Sequence, residues 1–170
     1  MNKQLPKLII IGHGRHGKDT VCDILQRDYN FKFMSSSQFC NEKVLFPVLS
    51  PIYGYTTLEE CYNDRHNHRK EWYDLIAEHN SDDPARLGKE LFSQFDIYCG
   101  LRRKEELEAL TEQDVCDYII WVDASKRLPP EDESSCTVTK DMSDYVIDNN
   151  EDYDSLLRNV KTLFDFILDN

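Results

Sequence analysis

Two rhythms of apolar residues run along the chain: short solid runs, and recurrences every three or four positions. Residues 7–11 form a solid run with β-branched members that stops at glycine, which predicts a buried strand. From Lys18 the apolar positions Val21, Ile24 and Leu25 recur at helical spacing, so a helix follows. Residues 31–34 predict a second strand, and Ser35 opens a stretch of N-cap residues for the next helix. The middle of the chain is helical. Thr57 with Glu60 three positions on is a capping-box signature, and the pattern then runs, with a break near Asn63, towards His79. Asp83 is placed to cap a further helix with Pro84 in its first turn. Residues 95–99 predict a third strand, ending at Gly100 before the helical "RRKEELEAL". The strongest strand signal is 118–122. A polar loop over 124–143 with Pro129-Pro130 follows, then a short strand at 145–147. Leu156, Leu157, Val160, Leu163, Phe164 and Ile167 mark an amphipathic last helix.

Five strands alternating with helices imply right-handed crossovers and a parallel five-stranded sheet flanked by helices, an α/β fold. Ligands in such folds bind beyond the carboxyl ends of the strands. The loops after Ile11, Met34, Cys99, Val122 and Ile147 are therefore the ones to inspect. With 170 residues and neither an internal repeat nor an evident linker, one domain is expected over 1–170.

Charge narrows the partners. A formal net charge of -12 disfavours non-specific binding to nucleic acid or anionic lipid. No apolar segment beyond residues 8–11 stands at the N-terminus, so neither a signal peptide nor a membrane span is expected. The six cysteines are scattered without a C-x-x-C pair, which points to free thiols in a reducing, cytoplasmic setting.

The chemistry is concentrated in "GHGRHGKDT", Gly12 to Thr20, between the first strand and the first helix. Gly12, Gly17 and Lys18 match the spacing G-x-x-x-x-G-K of a phosphate-binding loop. Glycines let the backbone wrap phosphate oxygens with several N–H groups turned inward, and the following helix adds its dipole. Lys18 would reach the β- and γ-phosphates of ATP. Asp19 stands where a hydroxyl that binds Mg²⁺ is usual, and a carboxylate is a hard donor able to do the same work. Thr20 would serve the α-phosphate. Gly12, His13, Gly14, Arg15, His16, Gly17, Lys18, Asp19 and Thr20 thus form the expected cofactor site.

This loop resembles that of the viral (bacteriophage) deoxynucleoside monophosphate kinases, which often ends in G-K-D-T. "GLRRKEELEAL" (Gly100 to Leu110) looks like the strand-end G/D-x-R of that family with a glutamate four residues on, here Arg102 and Glu106. "YVIDNN" (Tyr145 to Asn150) is similar to its segment before the last helix. "IIWVDASKR" (Ile119 to Arg127) fits its fourth strand and the start of a lid. The resemblance implies a P-loop kinase fold, with ATP-dependent phosphorylation of a (deoxy)nucleoside monophosphate to the diphosphate. It also implies a helical acceptor region over about 40–94, a lid-like loop at 124–143, and action in the cytoplasm of a host cell. In one respect the chain departs from the pattern: Gly100 occupies a position where related kinases often carry an aspartate that orients Mg²⁺.

An anionic acceptor needs cations on both sides of the transferring group and no general base. Arg65 and Arg69 lie on one helical face continued by Trp72, a candidate acceptor site together with Arg102 and Glu106. Lys18, Arg102 and, from the lid, Arg127 are the candidate catalytic groups. Asn149 fits near the base of the donor. The expected partners are small-molecule nucleotides, with a homodimer allowed. Two alternatives stay open: a kinase acting on a hydroxyl, similar to dephospho-coenzyme A kinase, and a non-catalytic nucleotide-binding module.

Overall fold

The computed structural model describes residues 3–170. Four parallel strands, β1 (Leu8–Ile11), β2 (Ile97–Cys99), β3 (Tyr118–Asp123) and β4 (Tyr145–Asp148), lie in the order β2-β1-β3-β4. β1 is central. It pairs Leu8 with both Ile97 and Tyr118, so the chain leaves it towards one edge and crosses back to the other. That reversal places a crevice at the carboxyl ends of β1 and β3.

The alternation of each strand decides which layer it serves. Leu8, Ile10, Ile97, Cys99, Ile120, Val122 and Ile147 face α1 (Lys18–Tyr29) and the last helix, α8 (Tyr153–Asp169), through Val21, Leu25, Val160 and Phe164. Ile9, Ile11, Tyr98, Ile119 and Trp121 face the opposite layer. That layer holds α2 (Ser36–Cys40), a π-helical turn (Asn41–Leu45), α3 (Phe46–Tyr53), α4 (Leu58–Asn63), α5 (Arg69–His79), α6 (Arg86–Phe92) and α7 (Lys104–Glu112). The helical break expected near Asn63 is a 3-10 turn, Arg65–Asn67, between α4 and α5.

The sheet has four strands rather than five. The missing one is residues 31–34, where Phe33 makes a single parallel bridge to Ile97 at the outer edge. Asp96 holds this segment at one point: its N–H donates to the Lys32 carbonyl and its carboxylate accepts from the Lys32 N–H. Two residues past Phe33, the Ser35 hydroxyl caps α2, so the chain turns helical before a ladder can form.

The capping box is displaced as well. The Thr57 hydroxyl accepts from the Glu60 N–H, but the Glu60 carboxylate reaches the N–H of Thr56 instead of Thr57. Asp83 caps a turn, not the helix proper, accepting from the Ala85 N–H ahead of α6. The 124–143 segment differs from a free lid. Ala124, Cys136 and Val138 are buried in the core, and Thr137 is tied to the Arg102 carbonyl. All six cysteines are free. Among the described residues no helix is long and apolar enough to cross a membrane.

Candidate active site

The glycine loop crosses the carboxyl end of β1 and delivers α1 directly. Gly17 has φ 102°, a left-handed conformation costly for other residues, and a Cβ there would lie 2.3 Å from Asn149 Nδ2. That amide instead donates to the His16 carbonyl at 2.9 Å, bracing the loop from the end of β4. Lys18 folds back over the loop, its Nζ donating to the Gly12 and His13 carbonyls at 2.7 and 2.9 Å. Burial lowers its pKa from the usual lysine value. Both carbonyls are exchangeable partners for an ammonium whose stronger acceptor would be a phosphate oxygen.

Two of the loop residues expected to hold the cofactor are tied elsewhere. His16 is fully buried. Its Nδ1 accepts from the Ala124 N–H, and its Nε2–H donates to the Pro129 carbonyl, clamping both ends of the proline stretch. The His13 ring accepts from the Glu131 N–H and packs edge-on against Trp121. Their side chains therefore serve the 124–131 segment, leaving the backbone of the loop to face a ligand. Burial together with nearby His16 lowers the His13 pKa. Arg15 is exposed, with a left-handed φ of 66°.

Asp19 is exposed at the first turn of α1 and makes no ion pair among the described residues; the Cys99 thiol lies 3.7 Å from its carboxylate. Thr20 is half-buried beside it. No group of three metal-ligating side chains occurs among the described residues. A free carboxylate at this position fits Mg²⁺, which takes one or two protein ligands and completes its shell with phosphates and water.

Beside the loop, Arg102 reaches across from the end of β2 to pair with Glu131. The Glu131 carboxylate rests on Gly14, where a Cβ would meet its Oε1 at 2.5 Å. Behind Arg102 opens a cavity of about 430 Å³ between α2, α5, α6 and α7, lined among others by Tyr98, Trp72, Tyr73, Arg103 and Glu106. Arg103 stacks over the Tyr73 ring, 4.1 Å from its centroid. Within the cavity wall Glu106 accepts a hydrogen bond from Tyr98 Oη at 2.5 Å. Desolvation drives its pKa up to about 7, against the opposing pull of that hydrogen bond and of Arg103.

Arg102, Glu106 and Trp72 are thus brought to one cavity on the carboxyl edge of the sheet. Arg65 and Arg69 are not. With His66 and Trp72 they line a separate hollow of about 340 Å³, where Arg65 donates to the Tyr62 carbonyl and stacks on its ring. Arg127 also departs from its expected place. It donates through Nε and Nη2 to the Asn149 carbonyl, because the clamp at His16 turns the start of the segment towards β4. Asn149 is buried, and its amide braces the loop rather than lying open to a base. Sequence reasoning missed Glu131, Arg103 and Tyr98. Tyr98 sits in an apolar strand like any core residue, and no spacing marks Glu131, whose partners are 29 and 118 positions away.

No protein-family description and no curated sequence matches the chain. Among solved structures it superposes on shikimate kinase from Bacteroides thetaiotaomicron with a TM-score of 0.51 and 10% identity, over 96% of this chain and 98% of that one. At that identity the likeness concerns the backbone alone. The chain therefore shares the α/β fold of that kinase: a parallel sheet flanked by helices, with the glycine loop after its central strand.

Proposed function

We propose that the protein is an ATP-dependent kinase whose acceptor is a nucleoside monophosphate, with a deoxynucleotide as the preferred form. The observation that carries this reading is the adjacency of the loop and Lys18 to a cavity with arginines at its rim. Two anions brought together need cations between them, and Arg102 stands at that boundary. Lys18 would exchange its two carbonyl partners for the β- and γ-phosphate oxygens. Arg102, released from Glu131, would hold the transferring group and the acceptor phosphate. An acceptor phosphate oxygen then bonds to the γ-phosphorus as the bond to the β-γ bridging oxygen breaks, and ADP departs with that electron pair. Mg²⁺, held through Asp19 and the phosphates, would neutralise the charge gathering on the bridging oxygen.

Glu131 favours a second reading. A carboxylate between loop and cavity is placed to accept a proton from a hydroxyl acceptor, which a phosphate acceptor would not require. One experiment separates the two: ADP formation from Mg-ATP, with each ribo- and deoxynucleoside monophosphate in turn and then with the corresponding nucleosides. Turnover with monophosphates only is expected, and Lys18→Ala should lower it at least a hundredfold. Turnover with nucleosides would transfer the assignment to the hydroxyl kinases. ATP binding with no transfer to any acceptor would leave a nucleotide-binding module.

A further inference from the structure

Two histidines in the glycine loop have no part in phosphate binding. Between the residues that carry the phosphate-binding spacing, Gly12, Gly17 and Lys18, the loop reads His13, Gly14, Arg15, His16. Three of those four touch the 124–131 segment. His16 is fully buried and commits both ring nitrogens to it: Nδ1 accepts from the Ala124 N–H at 3.1 Å, and Nε2–H donates to the Pro129 carbonyl at 3.2 Å. Nδ1 of His13 accepts from the N–H of Glu131 itself, also at 3.2 Å. An accepting nitrogen must be unprotonated, and burial beside the His16 ring favours that state by lowering the His13 pKa. Gly14 completes the set, because a Cβ there would stand 2.5 Å from Glu131 Oε1.

The link between these contacts is stiff. Pro129 and Pro130 each have φ fixed by the ring, and a residue before proline is held extended. From the carbonyl gripped by His16 to the Glu131 backbone, the chain is therefore a short strut with little freedom. Glu131 arrives with its N–H on His13, and its carboxylate spans from Gly14 to the Arg102 guanidinium. The Arg102 side chain is half exposed and pairs with no other carboxylate among the described residues. Its position at the mouth of the loop thus depends on where Glu131 is set down.

We infer that His13, Gly14 and His16 form a seat for Glu131, and that the two histidines are positioning residues acting through Glu131 to hold Arg102 at the mouth of the phosphate loop. The inference rests on the loop as the ATP site above, and not on the identity of the acceptor. It divides the loop by atoms: the backbone faces phosphate, while the side chains grip the segment that brings Arg102 into place. Of the two contacts of His16, the one on Pro129 is nearer to Glu131 and sets it down. The contact with Ala124 anchors only the start of the segment.

The test is a set of double-mutant cycles on the full chain, read by titration calorimetry with ATP and with inorganic tripolyphosphate. His16→Asn keeps an oxygen where Nδ1 accepts and loses the reach to Pro129. His16→Gln keeps an amide N–H where Nε2–H donates and gives up the Ala124 contact. In the unmodified protein Glu131→Gln is expected to tighten both ligands several-fold. In the His16→Asn background the same change should alter affinity by less than about twofold, and in the His16→Gln background by nearly its full factor. His13→Ala, at a half-buried position, gives a second reading where His16→Asn fails in thermal melting, and there too the response to Glu131→Gln should shrink. A full response in His16→Asn or His13→Ala, or none in the unmodified protein, would overturn the seat. So would loss of the response in all three variants alike, which would make the histidines supports of the whole loop. If neither ATP nor tripolyphosphate binds any of these proteins, the ATP site falls and the inference with it.

Discussion

At the scale of single residues, Glu106 makes the fold sensitive to pH in an unusual direction. A carboxyl whose pKa rises on folding binds its proton more tightly in the native state than in the unfolded chain. Its contribution to stability is therefore complete below pH 4.5 and is lost as pH rises through about 7, after which it levels off. The span corresponds to about 3 kcal/mol at most. Glu106→Gln keeps an acceptor for the Tyr98 hydroxyl and removes the buried charge. The variant should match the parent in denaturant unfolding near pH 4.5 and exceed it increasingly towards pH 8. A difference that stayed flat with pH would mean that Glu106 is not desolvated in solution. Asp83 acts in the opposite sense. The Lys89 ammonium, the Gln113 amide and the Ala85 N–H hold its carboxyl down at about 2, so stability from Asp83 is present above the usual aspartate range and fades only in strong acid.

At the scale of elements, the joint between the loop and β4 passes through one side chain. The Asn149 amide donates to the His16 carbonyl while its backbone N–H pairs with Asp123 at the end of β3. Asn149→Ala removes the donor and leaves the carbonyl at the brace short of a partner, which should cost about 1–2 kcal/mol in unfolding free energy. It should also weaken ATP binding, because the loop loses the prop that fixes its curvature. A variant with weakened ATP binding and unchanged stability would show the brace to be local to the loop.

These joints explain what could and could not be inferred from the chain alone. Leu8 to Ile11 and Tyr118 to Val122 announced themselves because a strand buried on both faces is apolar throughout. The loop was legible because its glycines, its lysine and its spacing are all local in sequence. Residues 31–34 misled because apolar content signals burial, while a ladder also needs length, and Ser35 cuts the segment short. Arg127 and Asn149 were assigned to ligands on order along the chain, yet their partners are set by the His16 clamp, a contact between a loop residue and a carbonyl 113 positions away. Arg65 and Arg69 do not share the expected helical face: Arg65 lies in the 3-10 turn and Arg69 opens α5, and both line a hollow apart from the cavity that holds Arg102.

At the scale of the whole molecule, a chain of net charge -12 gathers cations at one edge of its sheet, where Lys18, Arg102 and Arg103 stand. One of the chain's own carboxylates answers them. Glu131 lies on Gly14 and pairs with Arg102, where a phosphate entering the loop would meet it. Glu131→Gln should tighten the binding of ATP and of inorganic tripolyphosphate by the same several-fold factor, measured by titration calorimetry. Unequal factors would point to a wider rearrangement, and weaker binding would make Glu131 a ligand in its own right. Such a carboxylate is a competitor whose dose never changes. The chain fixes its local concentration, so dilution cannot remove it and only the supply of nucleotide can. The consequence is a constant handicap: the pairing would raise the apparent dissociation constant for nucleotide by one fixed factor and leave the shape of the binding curve unchanged.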